Sequence, residues 1–194
     1  MSGGFSSKLS SLAKSKRHQS IGFLIKLFED KSFAALFIIM MAFSALPVPT
    51  GGLTNIFELI TLILALQMIA GRHSIWLPKR LAKRKLSPQF FNKTLPVIIK
   101  WFKKIERYSR PRFAKLLNAD WFQRLNGLVI FIFAIGALIS PPLTNLETLP
   151  ALGIIIMSIA LLLDDLIITI IGFLVGSAGI ALIFMLGNLA FSLF

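Results

Sequence analysis

The cations of this chain are confined to two blocks. Six Lys and Arg residues lie in 1–32, fifteen in 72–124 and none in 125–194. The apolar stretches fill the gaps: 33–46, 53–70, 127–139, 149–163 and 166–194 contain no Lys or Arg. Lipid demands this sorting, because a charge near the bilayer centre costs about 2.5–3.5 kcal/mol even on the lenient insertion scale. Composition agrees, with 56% hydrophobic and only 15% charged residues, where soluble domains carry roughly 25% charged. The net charge of +13 therefore describes a cationic surface beside a membrane. By the positive-inside rule both basic blocks lie in the cytoplasm, so residues 33–70 enter and leave through one face and the N-terminus is cytoplasmic.

Length decides how these stretches meet the bilayer, since roughly 20 apolar residues are needed to cross about 30 Å of hydrocarbon. Segments such as 127–139 and 149–163 reach only about 20–22 Å as helices. Half-spanning or re-entrant helices fit them, provided their corners are buried in protein or line an aqueous cavity. Segment 166–194 is long enough to span with tilt. Within it Gly172, Gly176, Gly179, Gly187 and Ala190 fall within about 80° of one another on a helix, a stripe that lets a second helix approach closely. Ile183 interrupts the stripe. A turn at 176–179 is the other reading, but it does not require small residues to resume on the same face at Gly187. The stripe suits either internal packing or a homodimer.

The hydrophobic stretches hold a loose internal duplication. Leu46-Pro47-Val48-Pro49-Thr50-Gly51-Gly52-Leu53-Thr54-Asn55 breaks the first. Ser140-Pro141-Pro142-Leu143-Thr144-Asn145 breaks the second. Pro removes a backbone donor and Gly tolerates unusual dihedrals, so each break ends one helix and starts another, with Thr or Asn as a cap. Paired interrupted segments in two halves of a chain point to a midplane site of a transporter-like fold.

Intramembrane polar residues are functional candidates by default: Glu58, Gln67, Asp164 and Asp165. Glu58 suits a proton or cation site or a hydroxyl acceptor, and equally the positive end of a helix dipole. Gln67, about 180° around the helix from Glu58, suits a bridge to broken backbone. Asp164 and Asp165 form either a proton relay, their repulsion holding one proton, or a helix boundary at the membrane surface.

The middle segment is the most legible surface. From Pro96 to Tyr108, Ile98, Trp101, Phe102 and Ile105 share one helical face, opposite Lys100, Lys103, Lys104 and Arg107. This predicts an interfacial helix on anionic headgroups, with a shorter basic helix after Pro78 and Trp76 as an anchor; a solvated helix packed on the protein is the alternative. Arg72, Arg110 and Arg112 suit recognition of phosphate on headgroups or lipid-linked sugars, or plain positive-inside anchoring. Nucleic acid is not expected, because the cations interleave with lipid-seeking residues.

Zero cysteines exclude disulfides and thiolate chemistry, and His18 and His73 sit in separate basic segments, so neither a metal site nor a cofactor is expected. No G-x-S-x-G, phosphate-loop or H-E-x-x-H motif is present. Residues 1–32 read as a polybasic tail or weak amphipathic helix; a cleaved signal peptide would need an unusually long n-region.

The run Ala45 to Gly52, Leu64-Ala65-Leu66-Gln67 before Gly71-Arg72, Trp76-Leu77-Pro78, Arg110-Pro111-Arg112, Leu149-Pro150-Ala151 and the approach to Asp164-Asp165 resemble the ExoD exopolysaccharide-synthesis family over about residues 20–194. If Asp165 matches that family's aspartate, Asp164 replaces a basic residue and Leu166 a glycine. The resemblance implies a bacterial inner-membrane protein assisting exopolysaccharide synthesis, its activity poorly defined at family level. The expected architecture is all-α and polytopic: a basic tail (1–32), an interrupted hairpin (33–71), a basic interfacial segment (72–125), a second interrupted hairpin (126–165) and a C-terminal transmembrane helix (166–194). A transporter-like or accessory role is favoured, with the two breaks meeting near Glu58 and Asp164. The alternatives are a membrane enzyme acting on a lipid-linked phosphosugar and a noncatalytic scaffold for polysaccharide machinery.

Overall fold

The computed structural model describes residues 31–45, 53–72, 74–76, 100, 113–141 and 144–192. Among them every regular element is helical: α1 (Ser32–Ser44), α2 (Leu53–Ile69), α3 (Ala114–Leu117), α4 (Asp120–Ile139), α5 (Thr148–Leu163) and α6 (Leu166–Ser192). The tail before residue 31, the interfacial helix expected at 96–108, Arg110 and Arg112, and Pro47, Pro49, Gly51, Gly52 and Pro142 lie outside the described residues.

Four helices close a ring in which α1 packs on α2, α2 on α4, α4 on α5 and α5 on α1, with α6 laid along α5 and the edge of α4. Neighbours run antiparallel. Lys31, just before α1, bonds to Leu162 and Asp164 at the end of α5. Gly127, early in α4, lies against Met68 and Ile69 at the end of α2. The helix ends that flank the two corners therefore lie at one end of the ring, and Lys31, Arg72 and Arg124 at the other. Phe33, Phe37 and Met41 of α1, Leu64 and Met68 of α2, Ile130 and Phe133 of α4, and Ile154, Met157 and Leu161 of α5 fill the centre. Their spacing of three or four residues is what places them on one face of each helix.

Among the described residues two helices are long and apolar enough to cross a membrane, α4 over Asp120–Ile139 and α6 over Leu166–Leu189. The first corrects the expectation of a short helix at 127–139. Absence of charge was a poor marker of that helix's start, because the first two turns carry Asp120 and Arg124. Asp120 in the first turn faces the positive end of the dipole. Residues 120–125, assigned above to the basic segment, thus belong to α4. Helices α1, α2 and α5 are short, at 13, 17 and 16 residues.

α2 ends in a Schellman turn, with the Gly71 N–H on Met68 O at 3.0 Å and the Arg72 N–H on Gln67 O at 3.1 Å. Gly71 sits at φ 78°, a left-handed position glycine reaches without a Cβ penalty. α6 is one continuous helix of 27 residues, so 176–179 is not a turn. Its stripe faces inward. A Cβ on Gly153 of α5 would stand 2.5 Å from the Gly176 Cα, Gly172 lies on Met157, and Gly179 lies on Leu149 and Pro150. Gly187 has nothing within 4 Å. The first three stripe glycines are thus occupied by α5 and unavailable to a second chain.

Candidate functional site

α2 carries its polarity inward. Thr54, Glu58 and Thr61 are buried, while Ile56, Leu59, Ile60, Ile63 and Leu66 on the opposite face are exposed. The positions 54, 58 and 61 recur at helical spacing, so the sequence itself turns these polar groups toward the ring. Thr61 satisfies its hydroxyl on Phe57 O one turn back, at 2.9 Å, as hydroxyls in water-poor helices do.

Glu58, 1% exposed, anchors the site. Ser44, the last residue of α1, donates from Oγ to Glu58 Oε1 at 3.1 Å. Glu58 Oε2 is buried with no hydrogen-bond partner. The second hairpin repeats this arrangement. Ser140, which caps the end of α4, donates from Oγ to Ala137 O at 2.7 Å and, as the longer arm of the same hydrogen, to Glu147 Oε2 at 3.4 Å. Glu147 is buried at the start of α5. Beside Glu147, Asn145 Oδ1 and Thr148 Oγ1 are also buried and unpartnered.

The corner between α4 and α5 owes its shape to Asn145, at φ 55°, a left-handed conformation to which Asn is better suited than most residues. Its carbonyl accepts from the Thr148 N–H at 3.2 Å, and Thr144 Oγ1 donates to Pro141 O at 2.6 Å. These bonds close a compact turn of broken backbone. In the sequence the two corners align as Leu53-Thr54-Asn55-Ile56-Phe57-Glu58 and Leu143-Thr144-Asn145-Leu146-Glu147. Glu147 was missed as a candidate because it arrives one residue sooner after Leu-Thr-Asn than Glu58 does. The shared Ser-Pro-Leu-Thr-Asn-Glu order was the signal that would have found it.

Glu58 and Glu147 lie at the corner end of the ring, each against the serine that ends the preceding helix, whereas Asp164 lies at the opposite end. There Lys31 Nζ bonds to Asp164 Oδ2 at 2.7 Å and to Leu162 O at 2.8 Å, and Asn118 donates to Asp164 Oδ1 at 3.3 Å. Asp164 takes a left-handed C-cap at φ 56°. Asp165 starts the next helix, its Oδ1 accepting the Ile167 N–H at 3.0 Å, an N-cap bond. The two aspartates therefore mark a helix boundary. Gln67 accepts the Trp76 N–H at 2.8 Å, tying the chain after α2 back to it, and Arg72 is exposed nearby. A shallow cleft lined by Lys31, Met68, Leu117, Asn118, Gln123 and Leu161 opens at this end.

Lys31 holds the end of α5 through a charge and through a terminal carbonyl, both suited to a helix C-terminus. The side chains of the pair are 32% and 21% exposed, so solvent screening keeps the effect small. Lys31→Met should lower unfolding stability by about 0.5–1 kcal/mol, with Lys31→Met/Asp164→Asn together costing no more than the larger single change. Denaturation of the four proteins in detergent checks this; full additivity would mean that the two residues do not act on each other.

Chemically, the corner site offers carboxylate oxygens and hydroxyl donors in a water-poor setting. Among the described residues no group of three or more His, Cys, Asp or Glu is arranged to hold a metal ion. A family model described as exopolysaccharide synthesis, ExoD, matches residues 5–185. The chain is 29% identical over 164 residues to an uncharacterized protein of Synechocystis sp., covering 82% of this chain and 76% of that one. It is 28% identical over 142 residues to Protein ExoD of Rhizobium meliloti, covering 70% of this chain and 57% of that protein. No solved structure matches. The match across both hairpins and most of α6 means that this chain belongs to the ExoD family of exopolysaccharide synthesis.

Proposed function

We propose that the protein is embedded in the bacterial inner membrane, N-terminus cytoplasmic, and assists exopolysaccharide synthesis in a transporter-like or accessory role through the Glu58 corner site. The observation that carries this reading is the inverted polarity of α2, apolar outside and Thr54, Glu58 and Thr61 inside. That arrangement is unfavourable in water and suited to lipid. Depth supports it too. Gly179, level with Pro150 at the start of α5, lies thirteen residues from each end of α6 (166 and 192). If α6 spans, the corners of the short helices reach only about 20 Å from its cytoplasmic end and turn back inside the bilayer, held by protein or water. The basic segment, with Arg72, Arg110 and Arg112, then meets anionic headgroups or the phosphate of a lipid-linked sugar.

Expressed in a strain lacking this chain, the wild-type protein should restore exopolysaccharide output. Glu58→Gln, at equal membrane abundance, should leave output at least tenfold lower. Undiminished output with Glu58→Gln removes the corner site from the function. In the cysteine-free background, Thr144→Cys should react with an impermeant maleimide from one side only and more slowly than a surface cysteine. Labelling at the surface rate would place the corner in bulk solvent and overturn the embedded reading. An enzyme would show turnover in detergent without a gradient. A scaffold would instead lose a copurifying partner without moving solute.

A further inference from the structure

The end of α2 and the start of α4 meet at Gly71, and the group that lies on this glycine is a cation. A Cβ there would stand 2.5 Å from Arg124 Nη2 and 3.0 Å from Arg124 Cζ, so the missing side chain is what lets the guanidinium rest against the backbone. Arg72 follows directly, its Cα about 3.8 Å from that of Gly71, and it too is exposed. Two guanidiniums are thus rooted at one turn, one from each helix. Among the described residues neither enters an ion pair or a side-chain hydrogen bond. Lys31, at the same end of the ring, is by contrast committed to Asp164 and Leu162 O. Neighbouring like charges repel, and a guanidinium fork matches the oxygens of a phosphate two at a time, so an anion at this turn would relieve one effect through the other.

The surroundings of the pair say where the anion comes from. Trp76, 62% exposed, and Trp121, 59% exposed, stand beside it. The Trp76 N–H is tied to Gln67 of α2 at 2.8 Å, and Trp121 precedes Arg124 by one turn of α4. Exposed tryptophans next to cations mark the level of lipid headgroups. From that level exposed apolar residues continue along both helices, Leu128 and Ile132 on α4 and Leu66 and Ile63 on α2. A soluble phosphate gains nothing from those faces, whereas a phospholipid covers them with its acyl chains. Basic pockets between membrane helices on the cytoplasmic side hold anionic headgroups in this way. We propose that Arg72 and Arg124, flanked by Trp76 and Trp121, bind the phosphodiester of an anionic phospholipid at the seam between α2 and α4. This rests on the reading of the bundle as lipid-embedded and narrows its phosphate contact to one place; it does not depend on what the protein moves or assists.

The test uses the full chain with Trp101→Phe, which leaves Trp76 and Trp121 as its tryptophans, in phosphatidylcholine vesicles. Phosphatidylglycerol brominated on its acyl chains should quench their fluorescence several-fold more than the same small fraction of brominated phosphatidylcholine. Equal quenching by the two lipids would overturn the site alone. No quenching by either would take the bundle out of lipid and overturn the embedded reading with it. This comparison keeps both arginines, so it stands even where an arginine variant fails to fold. Arg72→Gln/Arg124→Gln should lower the phosphatidylglycerol quenching to the phosphatidylcholine level, while Lys115→Gln, which removes an exposed cation of α3, should leave it unchanged. An equal loss with Lys115→Gln would assign the attraction to diffuse surface charge and overturn the site. A double arginine variant that melts lower yet keeps the excess would reduce Arg124 to a cap on α2 and overturn it too. Unlabelled polyprenyl phosphate that relieves the quenching where equal unlabelled phosphatidylglycerol does not would give the site to a lipid-linked sugar carrier and overturn the phospholipid.

Discussion

Gly176→Leu should collapse the seam between α5 and α6. Space for a side chain there is taken by the Phe133 ring, and Gly153 meets the Gly176 backbone from the other side. Overpacking a tight contact costs about 1–3 kcal/mol and more when the neighbour cannot yield. Here one neighbour is backbone, so the upper end is expected. For a chain of this size each kcal/mol moves the melting temperature by about 2–4 °C, giving a drop on the order of 10 °C in detergent. Gly187→Leu, with nothing within 4 Å, should melt with the wild type. Equal effects at the two positions would mean that α6 does not lie on α5 as described, or that Gly187 is covered by a second chain.

The second large effect is all-or-none. A reporter fused after Phe194 should lie on the side of the membrane opposite the basic blocks. Deleting residues 180–194 ahead of the same reporter should return it to the cytoplasm. The deletion leaves α6 with fourteen residues (166–179), about 21 Å, too short to cross. Of the removed residues, Ile180 and Ile183 lie against Gly136, while 184–189 are exposed, so the ring loses little packing. A reporter that stays on the far side after the deletion would show that α6 is not the span.

Most helix positions were legible because the cations are sorted away from the apolar stretches. The stretches free of Lys and Arg, 53–70, 149–163 and 166–194, became helices at Leu53–Ile69, Thr148–Leu163 and Leu166–Ser192. Where charge and helix part company the reading failed, as at Asp120 and Arg124, which sit within α4. Glu58 was visible as the lone carboxylate of its apolar stretch. Its counterpart in the second hairpin, Glu147, was hidden by one missing residue in the second Leu-Thr-Asn corner, and the two serines by being ordinary residues at helix ends. The Lys31–Asp164 contact joins positions 133 apart, and nothing in a local pattern encodes such a pairing. The stripe on α6 announced a close helix contact without naming the partner, since Gly153 alone in α5 carries little periodic signal.

The ring interlocks its halves: α1 rests on α5 and α2 on α4, so each hairpin leaves one side of each helix for the other hairpin to cover. Synthesis delivers them one after the other. The end of α5 follows the end of α2 by 94 residues (163 − 69), on the order of 5–20 s at bacterial elongation rates. Helices form in microseconds or less, so during that interval the first hairpin is wound while the helices that α1 and α2 rest on are not yet made. A nascent chain in that condition has nothing of its own to cover those sides, and slowing translation between residues 70 and 160 should increase its degradation.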